Sequence, residues 1–173
     1  MDKLFVYVDG SARGEPGEAG IGIAITDKDG NVIEEVSELI GRTTSEIAEY
    51  RALIEACRHT LEHKPRSVIF FTDNQQLANH INAVFETRAP HVKRLIEIAI
   101  GLLNRFPSWR VNYVDRQANF HAPRLVEQAF HKNIRAQVSR ERLELVLMAR
   151  ASGLSDDAMQ RLIDYAERLQ EEA

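Results

Sequence analysis

The first forty residues carry the period-two pattern of apolar and polar positions that β-strands show. Ile21, Ile23 and Ile25 share one face of a predicted strand, whereas the segment KLFVYVD is apolar on both faces, as in a central strand. The segment SARGEPGEAG between them predicts a loop, and Asp29-Gly30 suits a tight hairpin turn. The pattern therefore predicts an antiparallel meander of three strands, over residues 3–9, 20–26 and 31–40.

The period then changes to that of a helix. Five apolar residues fall at i, i+3, i+4, i+7 and i+11, which places them on one helical stripe: Tyr50, Leu53, Ile54, Cys57 and Leu61. The predicted helix ends near Lys64-Pro65. Cys57 is the single cysteine of the chain, and its place on the apolar stripe predicts an inert core residue that forms no intramolecular disulfide.

The two periods alternate through the rest of the main domain. The predicted order of elements is βββ-α-β-α-α-β-α, which indicates an α/β fold with a mixed five-stranded sheet. In such a fold parallel crossovers follow the meander, and helices flank the sheet. The later elements are a strand over residues 67–72, helices over 75–86 (with Leu77, Ile81 and Val84 inward) and 91–105, a strand from Trp109 to Tyr113, and a helix opened by Pro123.

The last part of the chain, residues 132–173, has no strand pattern and is rich in Arg, Glu, Leu and Ala. Gly153 interrupts it, and Ser155 is placed to cap a second helix with an apolar stripe that begins at Met159. We interpret this segment as a helical hairpin appended to a main domain over residues 1–131. Its apolar stripe needs a partner, which is either the main domain's own surface or, in a homodimer, a second copy.

Composition narrows the class of protein. The chain has 173 residues, of which 44% are hydrophobic and 28% charged, as in ordinary globular domains. No apolar run approaches the roughly 18 residues of a membrane helix, so we expect no membrane association and a cytoplasmic location. The net charge of −4 gives no overall basic footprint, which argues mildly against tight binding of nucleic acid.

Three acidic residues are candidates for a metal site. Asp9 and Asp73 each end a predicted strand, and if those strands are parallel neighbours both carboxylates lie at the same edge of the sheet. Glu49 lies in the first turns of the helix that packs on that sheet. Taken singly, Asp73 is a good helix N-cap, Glu49 a solvated helix residue and Asp9 a turn former. Together, they are the oxygen ligands that Mg²⁺ prefers.

The sequences around these acids form three motifs. They are Asp9-Gly-Ser-Ala-Arg-Gly-Glu-Pro-Gly17, Ala48-Glu-Tyr-Arg-Ala-Leu53 and Thr72-Asp-Asn-Gln75. In order, spacing and predicted structure, residues 1–131 resemble type 1 ribonuclease H. The resemblance implies a ribonuclease H-like fold and a metal-dependent endonuclease that hydrolyses the RNA strand of RNA/DNA hybrids. It further implies that Asp9, Glu49 and Asp73 bind Mg²⁺ or Mn²⁺, and that Gln75, Ser11 and Asn119 contribute to binding the substrate.

The chain departs from the family pattern at the fourth acid, which is expected four residues after Asn119. Pro123 stands there, and proline has no side-chain oxygen to bind metal. Glu15 and Glu46 also replace asparagines that face the substrate in the family, and a carboxylate repels phosphate. Two residues are candidates to compensate for the missing acid: Glu127, one turn beyond Pro123, and His121. The alternative is that Glu127 is an ordinary surface residue and His121 an ordinary loop residue.

Two hypotheses follow. The first is a ribonuclease H-type endonuclease, with activity that is weak or altered by the missing acid. The second is a catalytically degenerate ribonuclease H-like module that binds nucleic acid or serves assembly through its hairpin. A further pair, His59 and His63, has the four-residue spacing of some zinc ligands, but surface histidines are the simpler interpretation because no third ligand is apparent nearby in the sequence.

Overall fold

In the computed structural model, which describes residues 2–151, 153, 155–161 and 164, a central sheet is flanked by helices. Along the chain the elements are β1 (Lys3–Gly14), β2 (Gly17–Thr26), β3 (Val32–Thr43), α1 (Ser45–Glu62), β4 (Ser67–Thr72), α2 (Gln75–Ile81), α3 (Pro90–Leu103), β5 (Trp109–Tyr113) and α4 (His121–Ala151). The five strands lie in the order β3-β2-β1-β4-β5. No described helix is long and apolar enough to span a bilayer.

The meander is longer than the sequence predicted. β1 and β2 pair antiparallel from Phe5 opposite Thr26 to Gly14 opposite Gly17, so most of the predicted loop is a β-hairpin. That loop prediction was wrong because Gly14, at φ 116°, turns the chain sharply enough for pairing to continue on both sides. The extended hairpin puts Asp9 opposite Gly22 inside the sheet rather than at the end of a strand.

The other half of the sheet is parallel. β4 pairs with β1 in a register that ends at Val8 opposite Thr72, and β5 pairs with β4. The antiparallel meander and the parallel crossovers are those predicted, and the α/β fold class is confirmed.

Helix α1 packs on the sheet with the predicted stripe inward. Tyr50, Leu53, Ile54 and Cys57 are buried, and burial raises the pKa of the Cys57 thiol, as expected of an inert core cysteine. The helix approaches β1 most closely at Gly10, where a Cβ atom would lie 2.3 Å from the carbonyl carbon and oxygen of Ala48. Only glycine permits this approach.

Two helix boundaries differ from those predicted. Helix α2 ends at Ile81, before the predicted residue 86, because Asn82 donates a hydrogen bond to the Val111 carbonyl and Ala83 adopts a φ of 56°. Val84, predicted to face inward, is consequently 59% exposed. Pro123 does not open α4 but is its third residue, a position in the first turn where its missing N–H costs no helical hydrogen bond.

The chain divides into two compact units, residues 1–131 and residues 132–173. In the second unit, α4 continues to Ala151, Gly153 lies in a turn, and residues 156–161 are helical. The Ser155 hydroxyl accepts a hydrogen bond from the Ala158 N–H at 3.4 Å, as expected of a cap. The apolar stripe predicted for this helix begins at Met159 and includes Ala166. Every member of the stripe after Met159 lies outside the described residues.

Candidate active site

The sheet register brings two of the three acids together. Asp9 and Asp73 each directly follow the Val8–Thr72 pair at the end of the parallel β1–β4 ladder. Glu49 comes from α1, one residue after Ala48, where the helix is closest to Gly10 and therefore to Asp9. Three positions distant in the chain thus meet at one edge of the sheet.

The three carboxylates interact electrostatically. Burial and the neighbouring Asp73 raise the pKa of Asp9, which is 4% exposed, to about 6, although Arg116 and a backbone hydrogen bond at Gly10 oppose the rise. Burial and the charges of Asp9 and Asp73 likewise raise the pKa of Glu49 well above its usual value. Clustered buried acids of this kind favour a bound cation.

Asp73 is held in place by residues of the β5–α4 loop. The wholly buried Asn119 donates from Nδ2 to Asp73 Oδ1 at 2.7 Å and to the Val8 carbonyl at 3.0 Å. Arg116 lies 3.4 Å from Asp73 Oδ2, and its side chain is 75% exposed. Asn119, predicted to bind substrate, is instead buried where it positions Asp73.

The capping interpretation of Asp73 does not hold. The N-cap of α2 is Asn74, whose Oδ1 accepts a hydrogen bond from the Leu77 N–H at 2.9 Å. Asp73 therefore does not cap the helix, and its carboxylate contacts Asn119 and Arg116 instead.

The carboxylate oxygens suit a hard divalent cation, but the three acids do not form a complete coordination shell. Glu49 Oε2 is buried without a hydrogen-bond partner among the described residues, as expected of an oxygen that a cation would satisfy. Yet no group of three His, Cys, Asp or Glu side chains in the described part of the chain is arranged, as it stands, to hold a metal ion. In this arrangement both oxygens of Asp73 contact nitrogen donors, Asn119 and Arg116.

The candidate compensating residues lie on α4. Glu127 is 61% exposed and forms an ion pair at 3.2 Å with Arg13, whose guanidinium also lies over the Phe130 ring. Its charge contributes to the raised pKa of Asp9, so the carboxylate lies on the side of the cluster. The His121 ring packs between Phe120 and Tyr7, with Nδ1 buried and unpartnered among the described residues.

The remaining predicted substrate residues flank the cluster. Gln75 is exposed at the first position of α2, and Ser11 lies in β1 opposite Gly20. Glu15 has a structural role that its sequence position did not indicate, because both its carboxylate oxygens accept from the Ser45 N–H, at 3.1 and 3.2 Å. It thereby satisfies an amide at the start of α1. Glu46 is exposed in the first turn of the same helix.

The two histidines on α1, whose spacing is that of some zinc ligands, contact a carboxylate. His59 Nδ1 and His63 Nε2 lie 2.6 and 2.7 Å from the two carboxylate oxygens of Glu34 on β3. The pKa of Glu34 is lowered overall, since these hydrogen bonds outweigh the effect of its partial burial. The cluster joins β3 to α1, a long-range contact that four-residue spacing alone could not reveal.

Comparison with known proteins identifies relatives of this fold. Residues 7–129 match a family model described as reverse transcriptase-like. Ribonuclease HI of Halobacterium salinarum is 31% identical over 127 residues, which cover 73% of this chain and 64% of the relative. The chain thus spans less than two thirds of the length of that curated relative.

Solved structures of ribonucleases H have a similar fold. RNase H1 from the halophilic archaeon Halobacterium salinarum NRC-1 superposes with a TM-score of 0.73 at 30% identity, covering 75% of this chain and 98% of that one. LC11-RNase H1 in complex with an RNA/DNA hybrid gives a TM-score of 0.72 at 31% identity, covering 76% and 99%.

Proposed function

Because this chain belongs to the type 1 ribonuclease H family, within the ribonuclease H-like superfamily, we propose that it is a metal-dependent endonuclease acting on the RNA strand of RNA/DNA hybrids. The observation that carries the proposal is that the β1–β4 register and the close approach of α1 at Gly10 bring Asp9, Glu49 and Asp73 to one edge of the sheet. A relative of similar fold has been captured with an RNA/DNA hybrid.

The residues have separate tasks in this proposal. Asp9, Glu49 and Asp73 would hold Mg²⁺ or Mn²⁺, and the chemistry that such ions supply is activation of water and stabilisation of the leaving oxygen. Asn119 orients Asp73 from a fully buried position, and the exposed Arg116 offers a cation to a phosphate of the substrate. Gln75 and Ser11, which follow Asp73 and Asp9 by two residues each, would contact the hybrid.

The test is cleavage of an end-labelled RNA/DNA hybrid in Mg²⁺ and in Mn²⁺ by the wild type, Asp9→Asn and Pro123→Asp. We expect slow cleavage by the wild type, loss in Asp9→Asn, and faster cleavage in Pro123→Asp because a fourth carboxylate is restored. Wild-type cleavage that persists in Asp9→Asn would contradict the proposed site.

A second candidate function is favoured by Pro123. With no side-chain oxygen at that position, the fold also suits a module that binds nucleic acid without cleaving it. Cleavage that appears only in Pro123→Asp would show a scaffold that lacks one metal ligand and would favour this alternative, as long as the wild type still binds the hybrid. No cleavage by the wild type in either metal would contradict the endonuclease.

We also propose that Glu127 supplies the carboxylate that Pro123 lacks. Helical side chains lean toward the amino terminus, so a glutamate one turn later reaches back over the position of Pro123. Its present partner, Arg13, is 43% exposed, and an exposed ion pair of this kind is worth at most about 1 kcal/mol. The pair is therefore weak enough for a divalent cation to displace.

Glu127→Gln tests this assignment, with Glu141→Gln, another exposed carboxylate on α4, as the matched control. We expect Glu127→Gln to weaken Mn²⁺ binding in calorimetry by about tenfold and Glu141→Gln to leave it unchanged. Equal Mn²⁺ affinity in both variants would show that Glu127 is a surface residue only. His121 remains a candidate of the same kind, and His121→Gln belongs in the same comparison.

For partners, we propose nucleic acid for residues 1–131 and a homodimer through residues 132–173. The second proposal is supported by large apolar side chains that are exposed on the described part of that unit, among them Val138 and Leu145.

A further inference from the structure

Phe120 is an exposed aromatic residue that follows Asn119, the residue that holds Asp73 of the acidic cluster. Its side chain is 60% exposed, and it follows Asn119, which is wholly buried and hydrogen-bonded to Asp73. The loop is therefore anchored at the residue before Phe120, and α4 begins at the residue after it. Single exposed apolar residues are common and need no explanation, so exposure alone does not assign it a role.

What distinguishes Phe120 is the set of rings behind it. Its ring centroid lies 4.0 Å from that of His121, which lies 5.9 Å from Tyr7. Tyr7 in turn stacks on Phe71 at 5.0 Å, on the neighbouring strand. Phe120 is thus the solvent end of a series of aromatic contacts that reaches into the sheet, and its ring rests against that of His121.

Because the protein is acidic, an exposed aromatic ring offers a nucleic acid a contact that does not depend on charge. The chain has a net charge of −4 and three acids at the site, so a nucleic acid gains little from general electrostatic attraction. Base stacking on an aromatic ring does not depend on charge and tolerates any base. Arg116, exposed in the same loop, adds a single cation nearby.

We propose that Phe120 is a stacking platform for an unpaired nucleobase next to the acidic cluster, an inference that rests on the proposed action on nucleic acid. The base must be unpaired and unstacked, because in a continuous duplex both faces of each base are covered by its neighbours. The platform therefore directs the protein toward hybrids with a single-stranded overhang, gap or frayed end, on either the RNA or the DNA strand.

The test measures binding in an Asp9→Asn background, by fluorescence anisotropy of three labelled hybrids: blunt, with a three-nucleotide RNA overhang, and with a three-nucleotide DNA overhang. The variants are Phe120→Ala, Phe120→Trp and the matched control Phe85→Ala, which removes a ring that is 63% exposed between α2 and α3. Unchanged melting temperatures establish that each variant is folded.

We expect Phe120→Ala to weaken binding of at least one overhang hybrid by about 5- to 150-fold, the range typical of losing one stacked base. The blunt hybrid should change by less than about twofold, Phe120→Trp should bind like the parent, and Phe85→Ala should have no effect. The overhang that responds identifies the strand.

Equal binding by Phe120→Ala and Phe85→Ala would overturn the inference, as would an equal loss on blunt and overhang hybrids or no binding of any hybrid. The proposed function is judged separately, by wild-type cleavage of the blunt hybrid. Wild-type cleavage together with overhang binding that does not depend on Phe120 refutes the platform alone, and Phe120-dependent binding of an overhang hybrid without cleavage refutes the nuclease alone.

Discussion

The buried carboxylate of Asp9, a proposed metal ligand, lowers the stability of the metal-free fold. Its raised pKa, about 6 against 3.8 for an ordinary aspartate, means that ionised Asp9 destabilises the metal-free folded state above pH 6. Protonation removes this penalty as the pH falls below 6, and near pH 4 the unfolded state protonates as well. The shift corresponds to about 3 kcal/mol at neutral pH.

We therefore expect Asp9→Asn to raise the melting temperature in EDTA at pH 7.5, with a much smaller difference at pH 4. Thermal unfolding at the two pH values checks this, with Asp29→Asn, an exposed acid in the β2–β3 turn, as the control that should change neither. A lower melting temperature of Asp9→Asn at pH 7.5 would show that the carboxylate is stabilising instead.

Asn119 is the residue on which the orientation of Asp73 depends. Asn119→Ala would leave Asp73 Oδ1 and the Val8 carbonyl without their buried donor. We expect a loss of about 2 kcal/mol or more in urea unfolding, together with weaker Mn²⁺ binding. Asn112→Ala, on the exposed side of β5, should do neither, and equal effects of the two substitutions would contradict this role.

At the scale of elements, two glycines set the distance between helices and sheet. A Cβ at Gly22, opposite Asp9, would lie 2.1 Å from the Ala122 carbonyl oxygen of α4. Because that oxygen belongs to the backbone, the helix itself would have to move. Gly22 and Gly10 thus fix α4 and α1 on either side of Asp9.

Gly22→Ala should accordingly destabilise the fold by about 1–3 kcal/mol. Gly101→Ala is the matched control, since a Cβ there meets nothing within 4 Å inside α3, and it should stabilise by about 0.5–1 kcal/mol. Chemical denaturation measures both, and the same sign for the two substitutions would refute the packing argument.

At the scale of the whole molecule, the acidic balance limits electrostatic binding. A net charge of −4 with few cations at the site implies few phosphate contacts. We expect the affinity of the Asp9→Asn protein for a hybrid to fall with salt at a log–log slope shallower than about −3, and Arg116→Gln to reduce that slope by about one. A slope near −6 would indicate an extended basic surface instead.

The second unit gives a prediction about assembly. If residues 132–173 form a homodimer, a charge at an exposed apolar position should dissociate it. We expect the wild type to have the mass of a dimer by light scattering, and Val138→Glu with Leu145→Glu to halve it. Gln137→Glu adds one such charge at a polar position and should leave the dimer intact. A monomeric wild type would contradict the prediction.

The sequence by itself determined the fold class and the identity of the three acids. Periodicity separates strands from helices because burial on one face requires a fixed spacing, and the three motifs around Asp9, Glu49 and Asp73 mark the acids in the chain. Only the tertiary structure decided what surrounds them. Asn119 holds Asp73, Glu15 accepts from the first amide of α1, and Phe120 ends a series of aromatic contacts. Apart from the contact between Phe120 and His121, these join residues far apart in sequence. Sequence periodicity cannot encode such contacts, since they depend on the register of strands and on how closely each helix approaches the sheet.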